Sequence, residues 1–178
     1  GRIELKKNIL NIIRAFEILK FRHKLPHRLV LAGYPYFGYK RIKQAIADSP
    51  AKDDIVEVGH VRGAAKIELI QKAAAMPFVS FYEGFGLPIL EAQALGVPVV
   101  AATTSSLPEV AGKGALFVNP TDYESIADRL YRLVTFPQVR AHHIQKGFEN
   151  TRRFSWRRTA EETLDLLEAV AKGESHFG

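Results

Sequence analysis

A chain of 178 residues, 47% of them hydrophobic, is long enough to bury one core and reads as one domain. With no cysteine it is excluded from disulfide and thiolate-zinc chemistry, and no apolar run of about eighteen residues would span a membrane. The net charge of +6 raises a polyanion as partner, but the basic residues lie in separate groups without interleaved aromatics, which reads as solvated helix faces and no nucleic acid.

In chain order, helix and strand patterns alternate. Asn8 is placed as the N-cap of a helix over 8–23, with Ile9, Ile12, Ile13, Phe16 and Leu19 at helical spacing. "RLVLAG" (28–33) reads as a buried strand, 39–49 as a helix and "DIVEVGHV" (54–61) as a strand. A helix over 64–75 carries Ile67, Ile70 and Ala74 on one stripe. "PFVSF" (77–81) is a strand, 88–95 a helix opened by Pro88, "VPVVAA" (97–102) a strand and "GALFVN" (114–119) another. Three helices close the chain near 122–134, 138–150 and 156–172, the last capped by Ser155.

Buried strands separated by helices predict an α/β, Rossmann-like doubly wound parallel sheet, with ligands outside the carboxyl ends of the strands. The opening "GRIELKKN" reads as a loop leading into a helix, whereas such a unit normally begins with a strand. An N-terminal portion is therefore expected beyond this sequence.

"YEGFGLPILEA" (82–92) is the informative stretch. It sets Glu83 and Glu91 eight positions apart around Gly84, Phe85, Gly86, Leu87 and Pro88, at a strand-to-helix turn. Both glycines are read as permitting torsions closed to other residues. The N–H groups of Phe85, Gly86 and Leu87 would point outward at the positive end of the helix dipole, which suits phosphate or sugar hydroxyls. Carboxylates only accept, and vicinal hydroxyls are natural bidentate donors to them. Two carboxylates beside such a helix end suggest a ribose, a diphosphate and a second sugar. Spacing alone leaves open that Glu83 is a solvated loop acid and Glu91 an ordinary helix residue.

The same stretch resembles the paired-glutamate signature of the retaining glycosyltransferases of the fourth family, which have the GT-B fold and include many mannosyltransferases. "GRIELKKNILNIIRAF", "VEVGHV", "GVPVVAATTSSLPEVAGKGALFVNPTDYESIADRL" and "RFSWRRTAEETL" are similar to further family blocks in the expected order. Residues 1–178 are thereby identified as the C-terminal, nucleotide-sugar-binding half of such an enzyme, with its N-terminal acceptor domain absent. The sequence departs from the family at Ala74, where an Asp is common, and at Val79, where a Pro is usual.

The resemblance implies that Arg2 and Lys7 clamp the donor diphosphate and stabilise it as it leaves. It implies that Glu83 holds hydroxyls of the transferred sugar, helped by the main chain at Gly84, Phe85 and Gly86. Glu91 would hold the ribose, Leu87 line the diphosphate end, and the chain at Gly59, His60 and Val61 meet the base. Thr104, Ser105 and Ser106 would graze the ligand. The reaction implied is transfer of a hexose with retention, without metal or other cofactor. GDP-mannose is the favoured donor and a UDP-sugar the alternative; the acceptor would be a glycan or a lipid-linked molecule. The implied location is the cytoplasm, with peripheral contact at the inner face of the membrane in the full-length protein. A catalytically idle nucleotide-sugar-binding or regulatory module is the competing reading.

Overall fold

The computed structural model describes residues 1–173. Seven short strands alternate with eight α-helices: β1 (Arg2–Ile3), α1 (Ile9–Phe21), β2 (Leu29–Ala32), β3 (Tyr34–Pro35), α2 (Tyr39–Asp48), β4 (Ile55–Gly59), α3 (Gly63–Gln71), β5 (Met76–Phe78) and α4 (Leu87–Ala94), followed by β6 (Val99–Ala102), α5 (Leu107–Ala111), β7 (Ala115–Val118), α6 (Tyr123–Thr135), α7 (Pro137–Thr151) and α8 (Trp156–Ala171). Every strand pairing is parallel. The alternation predicted from sequence is present, with three additions. Residues 2 and 3 form a strand on β3 rather than a loop, and α5 follows β6.

Strand pairing falls into three pieces, β1–β3, β2–β4 and β5–β6–β7, rather than one continuous sheet. That departs from the doubly wound expectation in continuity, not in class. β6, flanked on both sides, is buried at all four residues, as a central parallel strand should be. β2 is not the buried strand expected: only Leu31 is fully buried, and Val30 is 42% exposed. The predicted stripe on α3 likewise buries none of its residues. Both elements face a break between β2 and β5.

Two apolar clusters hold the fold. One packs β5–β7 with α4 and α6 and includes Ile12, Ala15 and Leu19 of α1. The other gathers Leu31, Ile42, Ile46 and Ile55 around Ile9, Ile13 and Phe16 of the same helix. α1 thus carries two apolar faces.

Asn8 does not cap α1 with its side chain. It sits in the left-handed region (φ 60°), and its buried amide donates to the carbonyls of Val79 at 3.0 Å and Pro120 at 2.6 Å. Satisfying two interior carbonyls outweighs capping a helix end, whose N–H groups have other solutions. Ser155 does cap α8, accepting from the Arg158 N–H at 3.4 Å, and Asp122 caps α6. α7 is keyed to α4 by a buried amide pair: Asn150 donates to Gln93 Oε1 and to the Val110 carbonyl, each at 2.8 Å, while Gln93 donates to the Ala111 carbonyl. The close approach there needs glycine, since a Cβ on Gly114 would stand 2.7 Å from the Cα of Gly147.

Candidate functional site

The carboxyl ends of four strands supply one edge of the molecule. β2 leads into Tyr34–Phe37, β4 into His60–Arg62, β5 into Ser80–Gly86 and β6 into Thr103–Ser106. Parallel strands expose their loops at the same end, which is where ligands of α/β sheets bind.

At this edge Glu83 and Glu91 are each met by a lysine. Lys7 Nζ lies 2.5 Å from Glu83 Oε1, and Lys66 Nζ lies 2.5 Å from Glu91 Oε1. The Glu83 carboxylate is mostly buried, whereas Glu91 and Lys66 are more open. The second carboxylate oxygen of Glu91 is enclosed and has no hydrogen-bond partner. An enclosed acceptor without a donor is costly, and a ligand hydroxyl is the kind of group that would satisfy it.

The glycine turn is braced from the β6 loop. The Glu83 N–H donates to Ser105 Oγ at 3.0 Å, and the single Ser106 hydroxyl lies between the carbonyls of Phe85 and Glu83, at 2.7 and 3.1 Å, able to donate to either. Thr104 Oγ1 donates to the Ser80 carbonyl at 3.0 Å. These three residues, expected to graze a ligand, hold the turn's shape. Gly86 caps α4 at φ 119°, a conformation L side chains rarely adopt. Gly84 has no such torsion, so its conformational role was over-read; an added Cβ there would meet open space. Pro88 opens α4, and the N–H groups of Phe85, Gly86 and Leu87 donate to nothing among the described residues. They face the start of an eight-residue helix whose dipole favours negative charge.

Arg2 and Lys7 both border the cavity between β2 and β5, but they are turned to different partners. The Arg2 guanidinium lies 4.3 Å from the centre of the Tyr36 ring, while Lys7 holds Glu83. His60, after Gly59 (φ 69°), stacks on Tyr34 at 4.0 Å and accepts from Arg62 Nε at 2.7 Å. Burial first, and then the Arg62 cation, hold its imidazole below the ordinary range. Val61 and Leu87 border the same edge, Leu87 being 46% exposed. Among the described residues no group of three or more His, Asp or Glu side chains could hold a metal.

Sequence reasoning missed Lys66, Tyr34 and Arg62. Lys66 lies on α3, 25 positions from Glu91 in sequence, and only the tertiary fold brings the two side chains together. Tyr34 was hidden because the end of β2 was read only as "RLVLAG".

A parallel α/β layer with carboxylates and free N–H groups at the carboxyl edge describes a Rossmann-like ligand domain, and comparisons with known proteins give its family. The profile described as "Glycosyl transferases group 1" matches residues 1–150, and the chain belongs to that family. It is 31% identical to O-antigen chain mannosyltransferase B of Escherichia coli over 96% of this chain and 45% of that protein. It is 41% identical to D-inositol 3-phosphate glycosyltransferase of Saccharomonospora viridis over 96% of this chain and 42% of that one. The chain thus spans less than half the length of these relatives. Among solved structures, HepE of Anabaena in complex with UDP and glucose superposes with a TM-score of 0.82 at 22% identity, over 95% of this chain and 46% of that one. The C-terminal domain of the group 1 glycosyl transferase LpcC of Francisella tularensis gives 0.71 at 23% identity, over 86% and 82%. The fold is that of one Rossmann-like half of a GT-B glycosyltransferase.

Proposed function

We propose that this chain is the donor-binding half of a retaining hexosyltransferase that takes a nucleoside-diphosphate sugar, with GDP-mannose favoured over a UDP-sugar. The observation carrying the reading is the pair of lysine-held carboxylates on either side of the Gly86 turn, with a partnerless Glu91 oxygen and free N–H groups between them. In this reading Glu91 takes the ribose hydroxyls and Glu83 those of the transferred sugar. The diphosphate lies over the start of α4. Lys7 would exchange Glu83 for a phosphate oxygen, and Arg2 would swing from Tyr36 to join it. Both cations and the helix dipole would then stabilise the negative charge that grows on the departing diphosphate, without need of a metal. The loop from Gly59 to Val61 would present its main chain to the base.

The name of the Escherichia coli relative supports mannose as the sugar. The acceptor, a glycan or a lipid-linked molecule, would be held by an N-terminal domain of the full-length protein. That protein would work in the cytoplasm, at the inner face of the membrane if the acceptor is lipid-linked. Titration calorimetry with GDP, UDP, their mannose and glucose conjugates and a duplex DNA, with and without EDTA, tests the proposal. A nucleoside diphosphate should bind unaffected by EDTA and DNA should not bind. Binding lost to the chelator, or DNA alone binding, would refute it.

A further inference from the structure

Glu91 is held at one end only. Among the described residues its side chain has a single partner, Lys66 Nζ at 2.5 Å from Oε1, while Oε2 is enclosed with nothing donating to it. A carboxylate accepts in about four directions, so the ammonium takes one of them and leaves Oε2 wholly free. A glutamate side chain is flexible, and one that is unheld must surrender that freedom when a ligand arrives. Tied to Lys66, Glu91 has surrendered much of it beforehand.

Lys66 owes its own place to the loop before it. It stands in the first turn of α3, where its backbone N–H donates to the Arg62 carbonyl at 3.4 Å. Arg62, the N-cap residue of that helix, is fixed twice. Its Nε donates to His60 Nε2 at 2.7 Å and its Nη2 to the Tyr34 hydroxyl at 3.1 Å, while the Tyr34 and His60 rings stack. Gly63, at φ 51°, turns the chain from this loop into α3, a torsion that favours glycine. The loop that ends β4 and the lysine that holds Glu91 therefore form one short, cross-braced piece. Pairing of Lys66 with Glu91 joins that piece to α4.

We propose that Lys66 is a positioning residue for ribose recognition: by fixing Oε1 of Glu91 it presents Oε2 to the vicinal hydroxyls of the nucleotide. The role rests on the reading above, in which Glu91 takes the ribose. Lys66 then acts through Glu91 and not on the ligand itself. This separates it from Lys7, which in the same reading leaves its carboxylate for a phosphate oxygen.

Calorimetry on the full-length protein tests the role with GDP or UDP, whichever the parent binds, and with the 2′,3′-dideoxy form of the same nucleotide. The parent should prefer the ribonucleotide about a hundredfold, and Glu91→Ala should abolish that preference. Lys66→Met should cut the preference about tenfold and leave affinity for the dideoxy form unchanged, which also shows that the variant is folded. Added to Glu91→Ala, Lys66→Met should cost nothing more, because the lysine then has nothing to hold. A preference untouched by Lys66→Met, with Glu91→Ala still abolishing it, overturns the positioning role and leaves the donor reading standing. Equal losses on both nucleotides from Lys66→Met overturn it as well, since the ammonium would then touch the ligand directly. A parent that binds neither nucleotide, or a preference that survives Glu91→Ala, sinks the donor reading and the positioning role with it.

Discussion

Glu83 and Glu91 share a chemistry but not a setting. Glu83 is the more enclosed and bound to Lys7, next to the braced turn; Glu91 lies inside α4 with one oxygen lacking a partner. Glu91→Ala should therefore weaken binding of the free nucleoside diphosphate, whereas Glu83→Ala should spare it and weaken only the nucleotide sugar. Calorimetry reads both, and an equal loss on free nucleotide would refute this division of roles. His60 is a separate case. Its lowered pKa leaves the imidazole neutral at pH 7, free to accept from Arg62. A His whose folded pKa is depressed binds fewer protons folded than unfolded. Stability is thus fully present above the unfolded value of about 6.5 and falls as pH drops from there through the folded value. An NMR titration of the ring should give a midpoint below that of a free histidine, and His60→Gln should flatten this part of the stability profile.

At the scale of elements, the order of strands and helices was legible because apolar runs and helical stripes are local signals. The glutamate pair was legible too, being eight residues apart on one turn and helix. Partners set by packing were not. Nothing near Glu91 in sequence points to Lys66, and Asn8 looked like a cap because its two acceptors are 71 and 112 positions away. Strands of two residues, such as β1 and β3, carry no periodicity to read. Asn8 gives this scale its test. Asn8→Ala strips the Val79 carbonyl of its donor, while Pro120 keeps a bond from Asn11 at 3.1 Å. The loss should be about 1–3 kcal/mol for the stranded acceptor, with about 1–2 kcal/mol more for an alanine at positive φ. Asn8→Gly removes only the first part, so denaturant melts should rank wild type above Asn8→Gly above Asn8→Ala.

At the scale of the whole molecule, the site edge is open and rimmed by exposed aromatics, among them Tyr36, Phe37 and Tyr82. α8 carries Trp156, Leu164, Leu167 and Val170 in the open. A two-substrate transfer draws about 7–11 kcal/mol from holding the reactants in place, and in the proposed reading the acceptor would be held by another domain, out of reach of this one. The 178-residue chain should bind donor yet transfer sugar negligibly, while the full-length protein transfers it. Assays with GDP-mannose and UDP-glucose on lipid-linked acceptors check this, and comparable turnover from both would overturn it. The two-faced α1 has a consequence of its own. One wall of each cluster is the same thirteen-residue rod, with Ile12 and Leu19 looking one way and Ile9 and Phe16 the other. Neither half can melt without loosening that rod for its neighbour, so a single helix makes the two halves rise and fall together.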